Sequence, residues 1–178
     1  MTVPAEDLST LHSRVMIGLG SNMSEPIRQI RTALREIDEL AGCSLMRVSS
    51  LYESAPIGGV AQPPFVNAVA EIETTLSPQV LMARLLDIER LHDRVRTVKN
   101  GPRTLDLDIL VFNDWCLDEV EVTTPHPRAH ERAFVLLPLL ELAPELYIPG
   151  KGLARDFLPQ VSGQSVRKMI ETEGRPKP

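Results

Sequence analysis

Aromatic side chains make up only 4% of the 178 residues, with one Trp, two Tyr and four Phe. A planar ligand would therefore find few ring faces to stack on. Cysteine is nearly absent. Cys43 and Cys116 stand far apart and in no CxxC pair, which excludes a disulfide framework and points to a reducing, cytoplasmic setting. No apolar run reaches the ~18 residues of a membrane span. The opening "MTVPAEDLSTLHSR" is polar and acidic and has no signal-peptide core. It reads as an extension over residues 1–13, ahead of one domain over residues 14–170 and a frayed tail over residues 171–178. GxxxxGK[ST] is missing, and no GxGxxG follows the first apolar run, so the common glycine-rich nucleotide loops are excluded. Gly18 and Gly20 in "GLGSN" read as turning the chain. Positive charge is also in deficit: the net charge is −5 and the pI about 5.4, against a nucleic-acid partner.

What is present is an ordinary globular balance, 43% hydrophobic and 24% charged, with one local exception. Between Arg90 and Thr104 stand Arg90, Arg94, Arg96, Lys99 and Arg103 against the single anion Asp93. That stretch suits a small polyanion.

Periodicity orders the chain. "RVMIGLG" predicts a buried strand. Ser24, Glu25 and Pro26 predict a helix start with Ser24 as cap. Ile27, Ile30, Leu34, Ile37 and Leu40 form that helix's apolar face, and Gly42 ends it. "SLMRVSSLYES" predicts a second strand. "APIGGVAQPP", residues 55–64, holds three prolines and two glycines and must be a loop. "FVNAVAEIET" predicts a third strand, with Val66, Ala68, Ala70 and Ile72 on one face and Phe65, Asn67, Val69 and Glu71 on the other. Ser77-Pro78 starts a second helix with stripe Leu81, Leu85, Ile88 and Leu91. A further strand follows, then an apolar helical stretch in "HERAFVLLPLLELAPEL" and a last short helix at "SVRKMI". Strand, helix, strand, strand, helix, strand is the order of a split βαβ unit. It predicts an α+β, ferredoxin-like fold: a mainly antiparallel sheet with helices packed on it.

The chemistry gathers at "NGPRTLDLDIL", residues 100–110. In a strand Asp106 and Asp108 face the same way, roughly 6–7 Å apart along the backbone, with Leu110 and Phe112. Leu105, Leu107, Ile109 and Val111 face the helices. Carboxylates so close repel one another unless a cation lies between them. Magnesium takes one or two carboxylates and completes its shell with water and phosphate oxygens. A bare DxD is more often a solvated face paired with arginines. Here an arginine cluster precedes the pair, Arg103 sits in the adjoining turn, and a Gly/Pro loop can serve as a lid. Guanidinium binds phosphate oxygens bidentately, so the stretch reads as a magnesium–polyphosphate site.

Among the histidines, His126 suits a phosphate as donor or conditional cation, while His92 and His130 read as surface residues. Zinc binding by His126, His130 and Glu131 is disfavoured, because Pro125 and Pro127 break any helix there and HExxH is absent. Arg128 and Arg132 read as surface charge, and Arg132 gains weight only if its loop folds back over the aspartates. Phe65, Asn67 and Phe134 could hold a planar heterocycle, although spacing alone favours core packing for the two rings.

Taken together, "KNGPRTLDLDIL", "GLGSN", "SSLYESAPIG", "PFVNAV" and "TPHPRAHERAFVLLPLLELAPEL" resemble, in order, the 6-hydroxymethyl-7,8-dihydropterin pyrophosphokinases of folate biosynthesis. The resemblance spans roughly residues 14–150. It implies transfer of the β,γ-pyrophosphoryl group of ATP to the pterin hydroxymethyl, with AMP as product and two magnesium ions as cofactors. It implies metal binding by Asp106 and Asp108. For ATP it implies Glu89, Arg94, Arg96, Arg103, Thr123, His126, Arg132 and the backbone of Ile109. For the pterin it implies Phe65 and Phe134 as a sandwich, Asn67 on the polar edge, and backbone near Ser54 and Ile57. Arg94 and Arg103, with the two aspartates, would act catalytically, and loops 55–64 and 94–103 would close over the substrates. This chain departs from some members in having Asn100 for a tryptophan, Thr97 for a lysine, Pro127 for a tyrosine, and a loop one residue shorter. The rival is a non-catalytic nucleotide- or pterin-binding module on the same fold.

Overall fold

The computed structural model describes residues 11–93 and 101–170. Most of the N-terminal extension, the tail, and Arg94, Arg96, Thr97, Lys99 and Asn100 lie outside the described residues.

A run of mostly apolar and small residues forms β1 (Ser13–Ser21). A helix follows, α1 (Pro26–Asp38), with Pro26 in its first turn, where a missing N–H costs nothing. Its cap differs from expectation. Glu25, not Ser24, holds the cap position, and both have positive φ (62° and 51°). The turn is held instead by Gln29 Nε2 donating to the Ser24 carbonyl at 2.9 Å and by the Arg28–Glu25 ion pair.

The expected second strand is two. β2 (Cys43–Val48) and β3 (Tyr52–Ser54) both pair with β4 (Phe65–Thr74). Glu141 explains the break: it accepts from the Ser50 N–H and hydroxyl and from the Tyr52 hydroxyl at 2.5–2.9 Å. The next helix is α2 (Pro78–Leu91), with Ser77 Oγ accepting the Val80 N–H as a cap should. Leu81, Leu85 and Ile88 are buried, but Leu91 is 74% exposed, because the helix ends there and its last side chain overhangs.

Then come β5 (Asp106–Phe112), the hairpin β6 (Leu117–Asp118) and β7 (Thr123–Thr124), α3 (Ala133–Leu142), and the hairpin β8 (Tyr147–Ile148) and β9 (Gly152–Leu153). The chain closes with α4 (Leu158–Val161) and β10 (Val166–Lys168). The last is a strand paired with β3, not the expected helix, since a free sheet edge offers backbone partners that three residues cannot find in a helix of their own.

The main sheet runs β10-β3-β4-β1-β5, with β2 also on β4, and its recorded pairings are antiparallel. Each long crossover, β1 through α1 to β2 and β4 through α2 to β5, skips one strand, as a split βαβ arrangement requires. The α+β, mainly antiparallel fold is the one expected. One face packs on α1 and α2 through Val15, Ile17, Leu19, Ala68, Ala70, Ile72, Leu105 and Leu107. The other packs on α3 through Met16, Val69, Leu110 and Val111.

A bulge corrects one register. Ile17 lies opposite Ile109 and Met16 opposite Val111, so Leu110 is the extra residue. Beyond it the faces exchange: Val111 joins the α3 side and Phe112 the α1/α2 side.

Candidate active site

The α3 face is covered only in part, and the uncovered end is a cleft. Its floor is where β1 carries no side chains. Gly18 pairs with Asp108 and Val69, and Gly20 with Asp106 and Asn67. They do not turn the chain; they sit within the strand. A Cβ at Gly18 would meet Leu110 Cδ2 at 3.2 Å, and one at Gly20 would face Asn67 Oδ1 at 3.4 Å. Two alternate glycines thus hollow the centre of the sheet between two functional strands.

On one side of this floor stand the aspartates. Asp106 and Asp108 both line the cleft from β5. Arg103 Nη1 bonds Asp106 Oδ2 at 2.5 Å. Arg132 lines the same wall, and so does Arg128, which the sequence left as surface charge. The loop carrying these arginines does fold back over the aspartates. The His126 N–H donates to the carbonyl of the bulged Leu110 at 2.9 Å, which ties that loop to β5. Burial and then the nearby Arg128 push the Arg132 guanidinium down, against the pull of Asp108 and Asp106. Its Nε is buried and has no hydrogen-bond partner among the described residues. A group so placed favours an incoming anion.

His126 is held by the same crowd. Burial and then Arg132 push it down to about 4, against the pull of Asp106. Its Nδ1 accepts the Arg128 N–H at 3.1 Å, which places the proton on Nε2. At neutral pH it is a neutral donor and not a cation.

The opposite side is lined by Phe65, Asn67, Ser54 and Ile57, with Phe134 contributed from α3. Asn67 is 4% exposed. Its Nδ2 donates to Ser54 Oγ at 2.8 Å and the Tyr52 carbonyl at 3.3 Å, leaving Oδ1 on the Gly20 side as an acceptor. Arg132 Cζ lies 5.7 Å from the Phe134 ring centre, a cation–π contact that joins the two sides.

Not every expected residue reaches this cleft. Glu89 is 2% exposed and accepts the Leu107 N–H at 2.8 Å behind β5. Ile109 is buried toward the helices, Thr123 bonds Asp118 on the small hairpin, and neither lines the cleft. Arg94 and Arg96 lie outside the described residues. Two histidines differ from expectation. His92 is buried between α1 and α2, contacting Gln29 and, at 2.6 Å, Glu36; His130 is half-buried and edge-on to Phe157 at 5.0 Å. Gly18, Gly20 and Arg128 line the cleft without having been singled out as site residues. The alternation of glycines in a strand was the one signal available for the first two.

The model of the family described as 7,8-dihydro-6-hydroxymethylpterin-pyrophosphokinase matches residues 16–144. The chain belongs to that family. Among relatives, a 2-amino-4-hydroxy-6-hydroxymethyldihydropteridine pyrophosphokinase of Haemophilus influenzae is 40% identical over 153 residues, covering 86% of this chain and 96% of the relative. One of Pseudomonas aeruginosa is 48% identical over 136 residues, covering 76% and 84%. The crystal structure of a Plasmodium falciparum HPPK-DHPS triple mutant with pteroate superposes with a TM-score of 0.67 at 16% identity, over 86% of this chain. This chain spans 44% of the length of that solved chain, and at such identity the likeness is one of fold.

Proposed function

We infer that the protein is an ATP-dependent pyrophosphokinase, which transfers the pyrophosphoryl group of ATP to 6-hydroxymethyl-7,8-dihydropterin and releases AMP, in folate biosynthesis. The observation that carries this is a family match over most of the chain, together with one cleft lined by Phe65, Asn67 and Phe134 and by Arg103, Arg132, Asp106 and Asp108. A non-catalytic binding module is not favoured, since it has no use for an aspartate pair set against converging arginines.

The donor set fits magnesium. Asp106 and Asp108 share one strand face in the cleft. Two carboxylates leave the remaining coordination positions to water and phosphate oxygens, as magnesium prefers. Asp106 and Asp108 would hold two ions, which when bound neutralise phosphate charge and polarise the transferred group.

The chain's own residues do the rest. Arg103 and Arg132 bind phosphate oxygens and offset the charge that develops on them. His126 donates from Nε2. Phe65 and Phe134 orient the pterin ring, and Asn67 Oδ1 accepts from its polar edge, so that the hydroxymethyl oxygen points across the glycine floor toward the aspartates. Such transfer asks mainly for positioning and charge neutralisation. Arg94 and Arg96 belong to the phosphate side in this reading, and Glu89, Thr123 and the Ile109 backbone to the nucleoside side.

The test is product analysis after incubation with ATP, magnesium and 6-hydroxymethyl-7,8-dihydropterin. One AMP per pterin consumed, dependent on both pterin and metal, is the expected result. ADP would replace this reading with simple γ-phosphoryl transfer, and ligand binding without turnover would favour the binding module.

A further inference from the structure

β1 ends at Ser21, and the next residue, Asn22, is 3% exposed with its backbone N–H and its whole side-chain amide engaged. Its N–H donates to the Arg103 carbonyl at 3.0 Å, and its Oδ1 accepts the Arg103 N–H at 2.8 Å. Its Nδ2 donates to Gln62 Oε1 and to the Pro63 carbonyl, both at 3.0 Å. The partners fix the amide's orientation: an N–H can only donate to Oδ1, and a carbonyl can only accept from Nδ2.

The two segments so joined serve opposite sides of the cleft. Residues 55–64 carry Ile57 and lead into Phe65. The Gly-Pro-Arg turn carries Arg103, whose side chain reaches Asp106. Asn22 stands between them just past the end of β1. One planar amide, bonded to the turn through oxygen and to the loop through nitrogen, cannot follow a shift of either segment without stranding buried polar atoms.

We propose that Asn22 is a positioning residue that couples the two halves of the site. Occupancy of the pterin half holds the 55–64 loop, the loop holds the Asn22 amide, and the amide holds Arg103 where the phosphates bind. This rests on the pyrophosphoryl-transfer reading. By linkage the coupling is reciprocal: each ligand strengthens the other by the same factor.

The residue type suits this task. An aspartate in place of Asn22 would keep an acceptor for Arg103 but turn a second oxygen against two oxygens, and a serine would be too short to span both segments. The test is calorimetric binding of α,β-methylene-ATP with magnesium, with and without saturating 6-hydroxymethylpterin, to wild type, Asn22→Asp, Asn22→Ala and Gln62→Ala. In wild type the pterin should tighten nucleotide binding roughly tenfold. In both Asn22 variants that ratio should fall to within about twofold of unity, and Gln62→Ala, which leaves the Arg103 contacts in place, should be intermediate. A wild-type ratio in Asn22→Asp overturns the proposal. So does the absence of coupling in wild type, or full coupling in Gln62→Ala if the Asn22 variants do not fold. AMP formation by wild type, measured alongside, separates the two readings. Its absence counts against the reaction while the ratio still reports on Asn22.

Discussion

Asp106 and Asp108 share a strand face inside a cleft lined by three arginines. Replacing either with Asn keeps the volume and removes the charge. Since a bound metal is worth several kcal/mol of transition-state stabilisation, AMP formation should fall by about a hundredfold or more. The melting temperature should stay near that of wild type. Near-normal turnover in either variant would remove the carboxylates from the metal role. These aspartates were legible in the sequence because strand periodicity alone puts i and i+2 on one side. Residue type grouped Phe65, Asn67 and Phe134 as a possible heterocycle site, but spacing favoured core packing for the rings, and only the family resemblance assigned them to a pterin. Asn22 was not legible at all. Its role is four hydrogen bonds to segments some 40 and 81 positions away, and no local pattern encodes such partners. Arg128 is the exposed charge expected, paired with Glu131 at 3.2 Å, and it also lines the cleft, because the tether from His126 to Leu110 brings its loop to the aspartates.

The elements hold the site by cross-strand contacts as well as by core packing. Glu71 on β4 receives Arg14 from β1 at 2.7 Å and Arg47 from β2, so one carboxylate ties three strands. Burial alone would raise this carboxyl; the hydrogen bonds from Arg14 and Arg47 outweigh it and hold the group below its ordinary value. Both guanidiniums are about half exposed, which screens the pairs. Glu71→Ala should therefore cost about 1–2 kcal/mol at neutral pH, or roughly 2–8 °C in Tm. The sign in acid follows from the lowered folded value. The stabilisation is complete above the unfolded carboxyl pKa of about 4.3 and is lost as the pH falls through the folded value. Melting curves of wild type and variant should converge in acid; a gap that stays constant down to low pH would mean that Glu71 acts through packing. Elements of regular period, α1, α2, β1, β4 and β5, were readable in advance. The break between β2 and β3, the Leu110 bulge and the strand β10 were not, because each answers to a partner elsewhere: Glu141, β1 and the β3 edge.

At the scale of the molecule, one cleft takes its walls from β1, β3, β4, β5, α3 and the loops between them, and the proposed reaction puts both substrates there. Ligands that bind only the folded state must stabilise it by mass action. At a hundredfold its Kd a ligand contributes about 2.7 kcal/mol, so magnesium and α,β-methylene-ATP should raise Tm by roughly 5–11 °C. Removing the metal with EDTA should reverse most of that gain, and a shift insensitive to EDTA would place the nucleotide away from the aspartates. Among the described residues no helix is long and apolar enough to cross a membrane. The amino-acid order by itself determined the split βαβ succession, the helix-facing and cleft-facing sides of β4, and the shared face of the two carboxylates in "DLD". Each depends only on local period and charge, which survive without a fold. The tertiary structure alone decided that Gly18 and Gly20 open the floor, that the His126–Arg132 loop turns over the aspartates, and that one amide at Asn22 joins both walls. Those are relations between segments distant in the chain, and they exist only once packing has chosen which groups become neighbours.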